Sequence, residues 1–139
     1  MAERIFVDTS VLVRAHDLDA GEKRAIAEHV LRQLWQDETG VLSTLVLQEF
    51  YEALMSGAGS PVPRRAARDL LQAYSVWPTV VLDAADLDAA SDVEERHRLA
   101  FRDALIVVSA RKSGAALLLA EHIQPYRAIA GLDVKNPFA

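Results

Sequence analysis

The sequence predicts an α/β fold in which a short, mostly parallel sheet is sandwiched between helices. Short continuous apolar runs such as Ile5-Phe6-Val7 and Leu117-Leu118-Leu119 suit strands covered on both faces. Between these runs lie longer stretches whose apolar residues recur at helical spacing. The two kinds of segment alternate along the chain, which is the pattern of a parallel sheet with crossover helices.

The first strand, Ile5-Phe6-Val7, ends in Asp8-Thr9-Ser10, residues that start helices well, and a short helix from Ser10 to Ala15 follows. His16 to Gly21 is a turn. Ile26, Val30, Leu31 and Leu34 space a helix over Glu22 to Gln36, and Gly40 suits a left-handed residue that terminates it. After the strand Val41-Leu42, Ser43 or Thr44 caps a helix bearing Leu45, Val46, Leu47, Phe50, Leu54 and Met55, together with Glu49 and Glu52. Ser56 to Pro63 is the strongest breaker and reads as an exposed loop between two helices. The next helix, Pro63 to Tyr74, turns Ala67, Leu70, Leu71 and Tyr74 inward. Thr79 to Leu82 is the third strand, and Ala85 to Arg98 a helix with Leu87, Ala90 and Val93 as its apolar stripe. Asp103 opens a very apolar helix, Ala104 to Lys112. Ala116 to Leu119 is the fourth strand, and Ala128 to Phe138 holds one last edge strand.

The bulk numbers restrict the setting. A chain of 139 residues with 51% apolar content fits one domain, residues 1–139, with a single core. No apolar run reaches the roughly 18 residues that a membrane-spanning helix needs. The N-terminus lacks the basic-then-apolar layout of a secretion signal, so a cytoplasmic protein without a membrane partner is expected. The absence of cysteine excludes disulfides and thiolate metal sites and suits a reducing compartment. A net charge of −5 excludes a surface that is basic throughout. It leaves room for a local basic patch, or for an acidic site that meets phosphates through metal ions.

Three carboxylates interrupt or adjoin strongly apolar sequence: Asp8 after Ile5-Phe6-Val7, Glu49 between Leu45-Val46-Leu47 and Phe50-Tyr51, and Asp103 before Ala104-Leu105-Ile106-Val107-Val108. An ionised carboxylate near a core is costly unless it is paired or binds a metal. Each alone fits a helix cap or a half-exposed residue, and Asp8, Thr9 or Ser10 would serve as a plain cap. The three together, on elements expected to meet at the carboxyl edge of one sheet, point to a shared ion. Hard divalent ions such as Mg²⁺ and Mn²⁺ prefer oxygen ligands. They lower the pKa of bound water and offset the charge that builds on a phosphodiester under attack. No Ser-His-Asp set, HExxH, Walker A or GxGxxG motif is present. An aspartyl phosphatase would need a second Asp where Ser10 stands, and a receiver domain would need an acidic pair where Asp8 is single.

At this point the chain resembles a family. Phe6-Val7-Asp8-Thr9-Ser10-Val11-Leu12-Val13, Leu47-Gln48-Glu49-Phe50-Tyr51, Phe101-Arg102-Asp103-Ala104-Leu105-Ile106-Val107 and Val134-Lys135-Asn136-Pro137-Phe138 look like the PIN domain of VapC-type toxins from type II toxin–antitoxin systems. The resemblance implies a three-layer α/β/α PIN-like domain that cleaves RNA endonucleolytically with Mg²⁺ or Mn²⁺. It also implies a homodimer and a cognate antitoxin whose C-terminal segment occupies a groove. Asp8, Glu49 and Asp103 match the family's metal-binding acidic positions, and Thr9 or Ser10 a hydroxyl that supports them. The helical hairpin from Glu49 to Tyr74 corresponds to the one that clamps the antitoxin.

One position departs from the pattern. The family commonly carries Ser or Thr, any residue, then Asp after the fourth strand, where this chain reads Ala120-Glu121-His122. Glu121 turning inward, His122 acting as a ligand that favours Mn²⁺, and a weak second metal site are the three alternatives. The last motivates a second functional reading, a catalytically weak or inactive module that binds RNA or antitoxin. Arg14 and Arg102 are the better candidates for phosphate contacts, ahead of His16, Arg111, Lys112 and Arg127, because they adjoin the motif carboxylates. Asp83 and Asp86 read as the cap and first-turn acid of a helix. Trp35 and Trp77 read as core or dimer packing.

Overall fold

A computed structural model describes residues 3–56 and 62–139. In chain order these fold into β1 (Ile5–Val7), α1 (Thr9–Ala15), α2 (Glu22–Asp37), β2 (Gly40–Ser43), α3 (Thr44–Ser56), α4 (Arg64–Tyr74), β3 (Thr79–Val80), α5 (Ala84–His97), α6 (Phe101–Ser113), β4 (Leu117–Leu119), a 3-10 turn (Gln124–Tyr126) and β5 (Asp133–Lys135). All five strands run parallel in the order β3-β2-β1-β4-β5. Phe6 of β1 pairs with Val41 on one side and Leu118 on the other.

The architecture follows from where apolar side chains can be hidden. Phe6, Val7, Val41, Leu42, Leu118 and Leu119 are all buried, as in a sheet covered on both faces. Helices α1 to α4 pack among themselves, α5 packs on α6, and α6 also touches β2 and β3. Residues Ala104 to Ala110 of α6 are buried on every side, which explains why that helix lacks a polar face. Because β2 and β4 flank β1 on opposite sides, the chain reverses its direction of travel across the sheet at β1. Parallel sheets open a crevice at the carboxyl ends of the strands there, and Asp8 follows the last residue of β1.

Most expected elements are present, with instructive differences. α6 starts at Phe101 rather than Ala104, which puts Arg102 and Asp103 together in its first turn. β3 stops at Val80, and Val81 faces solvent at this sheet edge. Leu87, expected in the apolar stripe of α5, is 46% exposed, and Ala90 and Val93 alone of that stripe are buried. Ser43 does cap α3, its hydroxyl accepting from the Val46 amide at 3.3 Å. Asp83 and Asp86 form a reciprocal capping box at α5. Most of the expected Ser56–Pro63 loop lies outside the described residues.

Gly40 does not terminate α2; Glu38 takes the left-handed position with φ 55°. Gly40 opens β2 instead, against the face of the Trp77 indole. A Cβ there would lie 2.3 Å from Trp77 Cζ3. Gly40→Ala is therefore expected to lower stability by about 1–3 kcal/mol through displacement of Trp77, seen as a lower urea midpoint. An unchanged midpoint would mean that the indole can move away freely.

Candidate active site

Asp8 is the N-cap of α1 and 5% exposed. Its Oδ2 accepts from the Ser10 amide at 3.1 Å and the Ser10 hydroxyl at 2.7 Å. The same hydroxyl accepts from the Glu121 amide at 3.1 Å, linking the ends of β1 and β4. Asp8 Oδ1 differs. It lies 2.8 Å from Arg102 Nη2, yet no N–H is aimed at it, and it is buried without a hydrogen bond. Its charge is compensated but its lone pairs are not.

Glu49 stands on α3 and reaches the same place. Its Oε1 accepts from the Thr9 hydroxyl at 2.6 Å and from Arg102 Nη2 at 2.7 Å. Arg102 Nε is 3.1 Å from both carboxylate oxygens. Burial pushes the Glu49 carboxyl up, but the hydrogen bonds from Arg102 and Thr9 and the Arg102 charge outweigh it, so the pKa lies below its ordinary value.

Asp103, in the first turn of α6, has Oδ1 3.1 Å from the Tyr126 hydroxyl, which donates to it, and 3.4 Å from Arg102 Nη1. Burial, followed by the charges of Asp8 and Asp103, raises the Tyr126 pKa, so the phenol keeps its proton. Arg102 is thus the hub. Burial works against its charge, yet the Glu49 hydrogen bonds and the charges of Asp8 and Glu49 raise its pKa, and it stays cationic. Its side chain is 33% exposed.

The expectation of a ready acidic cluster needs correcting. Asp8, Glu49 and Asp103 converge, but on a guanidinium. Among the described residues no group of three or more His, Asp or Glu side chains is arranged as a metal site. The carboxylates are held around Arg102 rather than against one another.

After β4, the Glu121 carboxylate is taken up by two cations outside this cluster. Glu121 pairs with Arg14 Nη2 at 3.1 Å and Lys23 Nζ at 2.7 Å, so its carboxylate ties α1 and α2 to the sheet. Burial opposes its charge, but those two cations keep its pKa below the ordinary value. His122 is exposed. Arg14 also lies 3.8 Å from Asp17. Lys112 pairs with Asp86 at 2.6 Å, Arg111 reaches the Ala130 carbonyl at 3.4 Å, and Arg127 is exposed.

Sequence reasoning missed Tyr126, which no motif announced, and read Arg102 as a phosphate contact without seeing its hold on the carboxylates. Stability is expected to respond to acid accordingly. Glu49 and Glu121 have depressed folded pKa values, so their contribution is complete above the ordinary value of 4.5 and is lost as pH falls through the depressed values. The melting temperature should drop steadily from about pH 5 toward about pH 3. A flat profile would contradict these pairings.

A second feature lies between the helices. A cleft of about 720 Å³ is lined by residues that include His16, Leu31, Leu54, Val62, Leu70 and Tyr74. His16 Nε2 sits 2.8 Å from the Tyr74 hydroxyl. Burial lowers the His16 pKa, outweighing Glu28.

Fold and site together define a small α/β protein with acidic side chains at the carboxyl end of a parallel sheet. The family model described as PIN domain matches residues 5–125, and the chain belongs to the PIN-domain family. No curated protein matches it in sequence. Among solved structures, a toxin–antitoxin complex from Klebsiella pneumoniae is 18% identical, with 96% of this chain and 97% of that chain covered and a TM-score of 0.70. VapC20 from Mycobacterium tuberculosis, a sarcin–ricin loop-cleaving toxin, is 22% identical, with 90% and 95% covered and a TM-score of 0.69. VapBC2 from Rickettsia felis, bound to a DNA fragment from its promoter, is 16% identical, with 95% and 97% covered and a TM-score of 0.69. The chain shares the fold of these proteins.

Proposed function

We propose that this chain is a metal-dependent endoribonuclease, the toxin of a type II toxin–antitoxin pair. The observation that carries the reading is Asp8 Oδ1. It is a buried carboxylate oxygen without a hydrogen bond, beside two further carboxylates brought from α3 and α6. An all-oxygen donor set with a free lone pair suits a hard divalent cation, Mg²⁺ or Mn²⁺. Asp8, Glu49 and Asp103 would hold it. When bound, the ion supplies the positive charge that acidifies a water and offsets charge on the phosphodiester.

The chain's own residues prepare the site. Ser10 fixes Asp8 through Oδ2, Thr9 fixes Glu49 through Oε1, and Tyr126 fixes Asp103 through Oδ1. Each carboxylate therefore keeps an anchor on the protein that does not come from Arg102. Family membership and toxin-like neighbours support RNA as the substrate. The toxin–antitoxin neighbours also support a cognate antitoxin. A homodimer belongs to the proposal through the family resemblance. The cleft beside His16 and Tyr74, lined by Leu31, Leu54 and Leu70 and also by Arg24, Glu28 and Arg32, would receive an antitoxin segment. Among the described residues no helix is long and apolar enough to cross a membrane; a cytoplasmic setting is part of the proposal.

Incubating the partner-free chain with structured RNAs and Mn²⁺ tests this reading. Discrete fragments that vanish with EDTA are the expected outcome. Intact RNA under both conditions would favour the second reading, an RNA- or antitoxin-binding module with little turnover. That alternative draws on Glu121, already committed to Arg14 and Lys23, and on exposed His122, which leave the far wall without the usual acid.

A further inference from the structure

We propose that Arg102 is an internal cation that closes the carboxylate site, and that a divalent ion binds only after the guanidinium has swung out. This rests on reading Asp8, Glu49 and Asp103 as ion ligands. The two occupants exclude each other by geometry. Arg102 makes three hydrogen bonds to the two Glu49 oxygens. Its Nη2 stands 2.8 Å from Asp8 Oδ1 and its Nη1 3.4 Å from Asp103 Oδ1. An ion drawing on all three carboxylates would need the space and the lone pairs that this group takes.

Three features make the closure reversible. The Arg102 side chain is one-third exposed, and it stands in the first turn of α6, so side-chain rotation alone can carry the head toward solvent. The closure is also imperfect, because Asp8 Oδ1 gains a nearby charge but no hydrogen bond, and such an oxygen is costly to leave buried. Finally, the carboxylates do not depend on Arg102 for position. Ser10, Thr9 and Tyr126 hold one each. When the guanidinium leaves, three anchored carboxylates remain with nothing to balance them, which strongly favours entry of a cation.

The consequence is a raised metal threshold. The apparent affinity equals the intrinsic affinity reduced by the fraction of molecules in which Arg102 is out. Removing the guanidinium should therefore tighten metal binding, whereas an Arg102 that merely supported the site would weaken binding on its removal.

The test titrates Mn²⁺ into wild type, Arg102→Met, Arg102→Lys and Asp8→Asn without RNA, following free Mn²⁺ by electron paramagnetic resonance. Arg102→Met is expected to bind about tenfold tighter or more. Arg102→Lys, with a single ammonium in place of the fork, should fall between it and wild type. Asp8→Asn should lose binding. Melting in EDTA gives a second readout: Arg102→Met should melt below wild type and gain more from Mn²⁺. If both Arg102 variants bind no tighter than wild type while Asp8→Asn loses binding, the closure is overturned and the ligand assignment stands. If wild type and the Arg102 variants all fail to bind, or if Asp8→Asn binds as wild type does, the ligand assignment falls and the closure with it. Should Arg102→Met not fold, Arg102→Lys alone decides the matter in the same way.

Discussion

Asp8→Asn is expected to abolish RNA cleavage while leaving the chain folded. The substitution is nearly isosteric, and asparagine caps helices about as well as aspartate. The side-chain oxygen can still accept from the Ser10 amide and hydroxyl that now bond Oδ2. The change removes the negative charge of a carboxylate that is 5% exposed. Arg102 keeps Glu49 as its main partner, so no buried cation is stranded. A loss of at least about a thousandfold in rate corresponds to about 4 kcal/mol of transition-state stabilisation, a fair share for one of three ion ligands. Fragment yield gives the rate, and melting gives the fold, with a shift of only a few degrees expected. Cleavage within about tenfold of wild type would remove Asp8 from the reaction.

The second large effect concerns stability. Phe50→Ala is expected to cost about 3–5 kcal/mol, a large part of the about 5–15 kcal/mol that usually holds a domain together. Phe50 is fully buried on α3, next in sequence to Glu49. Its ring meets Tyr74 edge-on at 5.4 Å and His16 at 5.5 Å. Tyr74 in turn packs edge-on against Trp35 and Trp77. The ring therefore joins α3, α4 and the end of α1 in one aromatic cluster, and its loss leaves a cavity that these helices cannot close without moving Glu49. Urea unfolding measures the cost. A loss below about 1 kcal/mol would mean that the cluster collapses into the space.

The fold was legible because the central strands β1 and β4 are short and wholly apolar, and most of the segments between strands carry apolar residues at helical spacing. Asp8, Glu49 and Asp103 stood out for the same reason, as charges set into apolar sequence. The features that could not be read concern contacts rather than periodicity. Leu87 sits at a helical interval from Ala90, yet α5 turns it to solvent. Gly40 looked like a helix terminator, whereas its smallness is needed by a tryptophan 37 positions along the chain. Tyr126 lies in a segment without hydrophobic rhythm, and only the tertiary fold brings its hydroxyl to Asp103. Arg102 was visible beside Asp103, but its contact with Glu49 spans 53 positions, and no local pattern encodes that. Expecting the helix to open at Asp103 rather than Phe101 also hid the fact that both residues share its first turn.

The most direct measurement is manganese anomalous diffraction from crystals of the chain soaked in Mn²⁺. A peak within about 2.5 Å of carboxylate oxygens from Asp8, Glu49 and Asp103, with the Arg102 head displaced from Glu49, is the expected result. A peak at Glu121 or His122, or none at all with Arg102 still seated on Glu49, would contradict the assignment of these three carboxylates as the site of the ion.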